Sequence, residues 1–164
     1  MPAAAYPYRM TKHLRLALLS VSLVAFVLSA AAAAQGPCKD PGSIRSVTKG
    51  RSGDFETVTF LINDGDPEVA ISDTKPPFSD YSGEHKIRIP GKAWKEVVLR
   101  GIFWTCTIKH DFGAATRTIT GIKQTEQFEG QANYIIGYSS KRKYAGMSNT
   151  VSGKTRKIVI KFRR

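Results

Sequence analysis

Few side chains in this sequence are placed to do chemistry. Of its three histidines, His13 precedes a long apolar run, and His85 and His110 stand alone. Neither falls at a spacing that ligates zinc or serves a nucleophile. His110-Asp111 is the one adjacent pairing of imidazole and carboxylate, and neighbours on a strand point to opposite faces, so the pair reads as a strand end. No glycine-rich phosphate loop follows a strand and opens a helix. The residue types therefore point away from catalysis, metal ions and nucleotide cofactors, and toward binding.

The binding candidates are aromatic, basic and acidic. Trp94 shares its face with Glu96 and Val98. Core packing accounts for it, yet that mixed face also makes it the better of the two tryptophans for stacking on a sugar ring. Phe78 and Tyr81 fall in Ser72 to Glu84, a stretch with two prolines and no usable alternation, expected to be an ordered surface loop that either binds or covers an open edge. Lys141-Arg142-Lys143 follows one strand candidate, and Lys154-Thr-Arg-Lys157 leads into the last. A solvated strand face accounts for both clusters, which converge into a patch for anionic polymer if the final hairpin pairs. In Phe-Glu-Gly-Gln-Ala-Asn-Tyr-Ile-Ile-Gly-Tyr, residues Phe128 to Tyr138, Glu129 is the candidate and Gly130 supplies backbone freedom. Ala132, Tyr134, Ile136 and Tyr138 share one face and read as a core stripe, so this stretch is chiefly architectural.

The N-terminus gives the compartment. Arg9, Lys12 and His13 precede Leu-Ala-Leu-Leu-Ser-Val-Ser-Leu-Val-Ala-Phe-Val-Leu and then Ala30 to Ala34, which is a secretory signal peptide in its three parts, with cleavage expected after Ala34. The apolar run is short for a span, so no membrane anchor is expected after cleavage. A lipoprotein reading fails because Cys38 follows Pro37. The intact chain carries a net charge of +12, and loss of Arg9, Lys12 and Arg15 leaves about +9. That sign favours polyanionic surroundings, and export argues against nucleic acid. Cys38 and Cys106 are the only cysteines, and an oxidising destination makes their internal disulfide the natural expectation. Trp104, on the face of Cys106 and Ile108, is expected to pack beside it.

Period-two alternation supplies the scaffold. Phe55 to Ile62 puts Val58, Phe60 and Ile62 on one face and Thr57 and Thr59 on the other. Asn63-Asp-Gly-Asp66 then predicts a hairpin into Pro67 to Ile71. Further strands are expected over 85–89, 94–99, 103–109, 116–122, 131–138 and 157–162, where Lys157, Lys161 and Arg163 lie opposite Ile158, Ile160 and Phe162. No sustained helical stripe follows the leader. The fold class is all-β, a single antiparallel sandwich or open barrel, with residues 35–52 as a lead-in and 53–164 as the domain.

Three ordered segments carry a resemblance. Gly-Asp-Phe-Glu-Thr-Val-Thr-Phe60, Thr120-Gly-Ile-Lys-Gln-Thr-Glu-Gln-Phe-Glu-Gly-Gln-Ala-Asn-Tyr-Ile-Ile-Gly-Tyr138 and Thr155-Arg-Lys-Ile-Val-Ile-Lys-Phe162 together resemble the AMIN-like family, relatives of the AMIN domain of exported cell-wall amidases. Thr57 and Lys161 depart from it, standing where the family usually has a basic and an acidic residue. The resemblance implies an all-β sandwich and a non-catalytic role in the cell envelope. The expected function is an exported binding domain, periplasmic or extracellular, for peptidoglycan or an anionic envelope glycan. The alternative is an assembly module that docks an envelope protein through a sheet edge or the 72–84 loop. For the disulfide, exported protein unfolded without reductant is expected to show no reactive thiol, and two reactive groups in a thiol assay overturn the pairing.

Overall fold

The computed structural model describes residues 40–105, 112, 115–140 and 143–164. The expected leader 1–34, Cys38, Cys106, His110, Lys141 and Arg142 lie outside them, and with them the expected disulfide. The described residues contain no α-helix. Their strands are β1 (Ile44–Ser52), β2 (Phe55–Asn63), β3 (Glu68–Thr74), β4 (Phe78–Ser79), β5 (Lys86–Ile87), β6 (Ala93–Arg100), β7 (Ile119–Phe128), β8 (Gln131–Tyr138), β9 (Tyr144–Ser152) and β10 (Thr155–Arg163). A first sheet has the order β1-β2-β10-β9, a second β3-β6-β8-β7, and β4 pairs with β5 alone. All ladders are antiparallel. The two large sheets pack face to face, giving the sandwich and not the barrel.

The alternating stripes decide which faces meet. β2 contributes Val58, Phe60 and Ile62, β10 Ile158, Ile160 and Phe162, and β8 Ala132, Tyr134, Ile136 and Tyr138, all without solvent exposure. Rings interlock across the layers: Phe60 meets Tyr134 edge-on at 5.0 Å between centroids, and Tyr138 meets Phe162 at 4.9 Å. Such pairs add about 0.5–1.5 kcal/mol each beyond the area they bury. The Tyr134 hydroxyl is buried without a hydrogen bond of ordinary geometry. Burial pushes its pKa up to about 12, against a smaller opposing pull from the Thr105 side chain.

Several expectations are corrected. Residues 55–71 form no hairpin, because β2 pairs with β1 and β10 while β3 pairs with β6. The Asn63-Asp-Gly-Asp66 turn instead carries the chain from one sheet to the other. It is held there by Asp64 N–H to the Lys154 carbonyl (2.6 Å), by Arg156 Nε to the Gly65 carbonyl (2.8 Å) and by an Arg156–Asp66 ion pair (2.8 Å). The segment set apart as a lead-in contains β1, so the domain reaches back to Ile44. β9 was not anticipated at all. Within 103–109, Thr105 makes only an isolated parallel bridge to Ile44, and the residues after it lie outside the described ones. Trp104 is 61% exposed and not packed away, since its backbone carbonyl, and not its ring, is what β1 engages, at Ile44 N–H (2.8 Å).

Between β3 and β6 the chain leaves the sheet and returns across the outer face of the second sheet. Gly121 and Gly137 are register partners in β7 and β8, and Pro90 lies directly on them. A Cβ on Gly137 runs into the Pro90 carbonyl oxygen, and one on Gly121 comes within 3.0 Å of Pro90 Cδ. The Gly in Ile-Gly-Tyr138 is therefore a requirement of close approach. Gly137→Ala is expected to cost about 1–3 kcal/mol, as overpacking does, with a urea midpoint to match and a shift in Trp94 emission as residues 75–91 lift. An unchanged midpoint and spectrum show that this segment is not seated on the sheet.

Candidate functional site

The segment laid over the second sheet builds a cleft. Its own alternation does the work: Ile87 and Ile89 turn toward the sheet, and Lys86 and Arg88 turn out and stay exposed. Phe78, Ile89 and Ile135 form a small second core, with Ile87 and Trp94 packed against it. Phe78 meets Trp94 edge-on at 5.8 Å, and Trp94 Nε1 donates to the Ile89 carbonyl at 3.0 Å. That bond fixes the indole while leaving part of its surface open. Above it lies an open cleft of about 580 Å³, with Pro76, Pro77 and Pro90 in its walls, Trp94 and Phe78 at its base, and Lys86 and Arg88 on its rim. Among the described residues, no acidic one lines it. Fixed aromatic and proline surface beside two cations suits a ring with an anionic substituent, through stacking and charge-assisted hydrogen bonds.

Of the residues singled out from sequence, this cleft unites Phe78 and Trp94. Phe78 is buried at 6% exposure and serves as its base. Tyr81 sits in the exposed turn beyond β4, 76% exposed and apart from the lining residues. In the same turn Asp80 accepts from Ser82 Oγ (2.7 Å) and the His85 N–H (3.4 Å). The Ser82 bond leads the contributions that hold the Asp80 carboxyl below the usual range. His85 is exposed there. Glu129 and Gly130 both adopt positive φ, 46° and 78°, at the tip of the β7–β8 turn, so Glu129 is exposed at the other end of the second sheet. Lys86 and Arg88 were not singled out, although their alternation with Ile87 and Ile89 is the signal that marks them.

Of the first basic cluster only Lys143 is among the described residues, and it does not converge with the second. The final hairpin is β9–β10, with Tyr144 opposite Phe162 and Ser152 opposite Thr155. Lys143 and Lys154 thus lie at its opposite ends, about 30 Å apart at about 3.3 Å per residue. The strands of the first sheet instead make a different surface on their outer face, where Thr48, Thr57 and Thr59 adjoin Lys157, Lys161 and Arg163. None of its strand residues there is acidic, whereas the outer face of the second sheet mixes Glu68, Glu96 and Glu126 with Arg100 and Lys123.

A buried carboxylate at one end of the sandwich also escaped the sequence reading. Glu56 heads the inward stripe of β2 and is 1% exposed. Its Oε2 accepts from Thr116 Oγ1, the Thr118 N–H (3.1 Å) and the Ile119 N–H (3.0 Å). Its Oε1 is buried without a partner. Burial acts to raise its pKa, but the bonds from Thr116, Ile119 and Thr118, with the Arg51 charge, outweigh it and hold the group below the ordinary 4.5. The signal was available, since Glu56 continues the Val58, Phe60 and Ile62 period. With its accepting oxygen committed to the β7 entry, Glu56 fastens the two sheets. Among the described residues no three His, Cys, Asp or Glu side chains gather as metal ligands.

In comparisons with protein-family models, curated proteins and solved structures, nothing matches this chain.

The lowered Glu56 pKa has a definite sign. The ionised group stabilises the fold above its unfolded pKa, and that contribution is lost as pH falls through the lower folded value. Glu56→Gln is expected to cost about 1–2 kcal/mol at neutral pH, the difference between charge-assisted and neutral bonds, and to converge with the unsubstituted protein in acid. Parallel stability curves from urea titrations across that range contradict the role.

Proposed function

We propose that this chain is an exported, non-catalytic binding module of the cell envelope, and that its cleft holds a segment of an anionic glycan such as peptidoglycan or an associated polymer. One observation carries the reading: Trp94 and Phe78 are fixed beneath a proline-walled cleft whose charged lining, among the described residues, is Lys86 and Arg88. Indole and proline surfaces suit a sugar ring, and the cations suit a carboxylate or phosphate on it. The leader-like N-terminus and the charge of about +9 left after its removal support an extracytoplasmic polyanion as the target. The ordered likeness to the AMIN-like family supports the same compartment and the same absence of chemistry, by analogy. The basic outer face of the first sheet adds long-range attraction that salt screens.

The exported protein is expected to pellet with cell-wall sacculi at low salt and to be released as salt rises. Lys86→Gln with Arg88→Gln, both at exposed positions, is expected to weaken binding about tenfold or more, the loss of two charge-assisted bonds. Lys143→Gln is expected to change it little. Pelleting that is absent at low salt, or that survives the double change at full strength, overturns the assignment of the cleft.

A further inference from the structure

We propose that β9 is a self-association edge: two copies of this chain pair β9 to β9, antiparallel, about a two-fold axis at Asn149, and join their first sheets into one continuous sheet.

A sheet edge exposes a row of unpaired backbone N–H and C=O groups, and proteins guard such rows with charges, bulges or cover. Three of the four edges here are guarded. β1 carries Arg45, Lys49 and Arg51 and is bridged by Thr105. β3 carries Glu68 and Asp73. β7 carries Lys123 and Glu126 and has two register shifts. β9, Tyr-Ala-Gly-Met-Ser-Asn-Thr-Val-Ser, has nine residues and no charged side chain. Its one irregularity lies near Gly146, opposite Lys161 and Phe162, and from Met147 to Ser152 it pairs regularly with β10.

The occupant follows from side chains and charge. On β9, Met147, Asn149 and Val151 lie opposite Ile160, Ile158 and Arg156, on the core-facing side. Met147 is 40% and Val151 61% exposed, because the second sheet does not cover this margin. Centring the two-fold on Asn149 sets Met147 of each copy opposite Val151 of the other, twice, so the apolar side chains left open in one copy close over those of its mate. A second copy carries the same positive charge, about +9 once the leader is lost, and β9 is the described edge whose own strand residues set no charged side chain against it. An acidic strand would find its cations on β1. Lys143 and Lys154 flank the pairing, so screening should strengthen it, the opposite of the salt response of glycan binding.

The test uses the exported chain. Sedimentation over a range of concentrations is expected to show a monomer–dimer equilibrium that tightens with salt and weakens about tenfold or more in Met147→Lys. Because that change could disturb folding, Asn149→Cys supplies a second readout. Opposed Cα atoms in an antiparallel pair lie about 4.5–5.5 Å apart, within disulfide reach. Oxidation should therefore give a covalent dimer on a non-reducing gel, absent from the unsubstituted protein and from Thr48→Cys on β1. Monomer at every concentration and salt, or equal cross-linking through Thr48→Cys, overturns the proposal. Neither result bears on the cleft, which lies on the other sheet.

Discussion

Strand β8 is covered on both faces, and the rest of the molecule is arranged around that double burial. From Ala132 to Tyr138 every residue is buried. One face meets the first sheet through Tyr134 and Tyr138, and the other lies beneath the Pro90 segment and the Phe78 cluster through Ile135 and Gly137. A strand in that position has no solvent side, so its sequence turns nearly continuous in apolar character and small residues appear wherever backbone must approach backbone. The sandwich core and the candidate cleft are thus opposite sides of a single strand.

That arrangement is the reason for assigning the proposed binding to the cleft and not to a surface cluster. Lysines on an exposed strand are hydrated and mobile, and their pull on a polyanion is mainly nonspecific. In the cleft the indole is held by its own hydrogen bond and wedged against Phe78, so little side-chain freedom remains to be lost when a ligand arrives. In the proposed binding the acid-free outer face of the first sheet would act at a distance, and the fixed rings on contact.

What the sequence revealed, and what it concealed, follows from burial. β2, β6 and β10 alternate because one face of each is the more deeply packed, β8 shows as a nearly continuous apolar run, and the positions of all four were legible. β1 and β9 were not, because edge strands are held by backbone bonds on one side and need little apolar patterning. β1 offers only Ile44 and Val47 to the core, with a bulge between Ile44 and Ser46 that breaks the period. The turn at Asp64 was recognised as a turn but assigned to the wrong connection, since a residue able to adopt positive φ serves a sheet crossover as readily as a hairpin. Phe78 and Trp94 were named separately. Their meeting depends on the path of residues 75–91 over Gly121 and Gly137, and local patterning carries no information about such a path. Lys86 and Arg88 were missed for the same reason.

Among the described residues, the direct hydrogen bonds between the two layers lie at their ends. Glu56 reaches the backbone of Thr118 and Ile119 at one, and at the other the Trp104 carbonyl meets Ile44 N–H while Phe103 N–H meets the Gly42 carbonyl. Between them the layers touch through hydrocarbon and aromatic rings, contacts with little directional preference. The sandwich is in effect two plates pinned at their rims. Tension applied along the strands loads those few bonds together, so mechanical resistance to sliding is set by the pins and not by the broad greasy area they enclose.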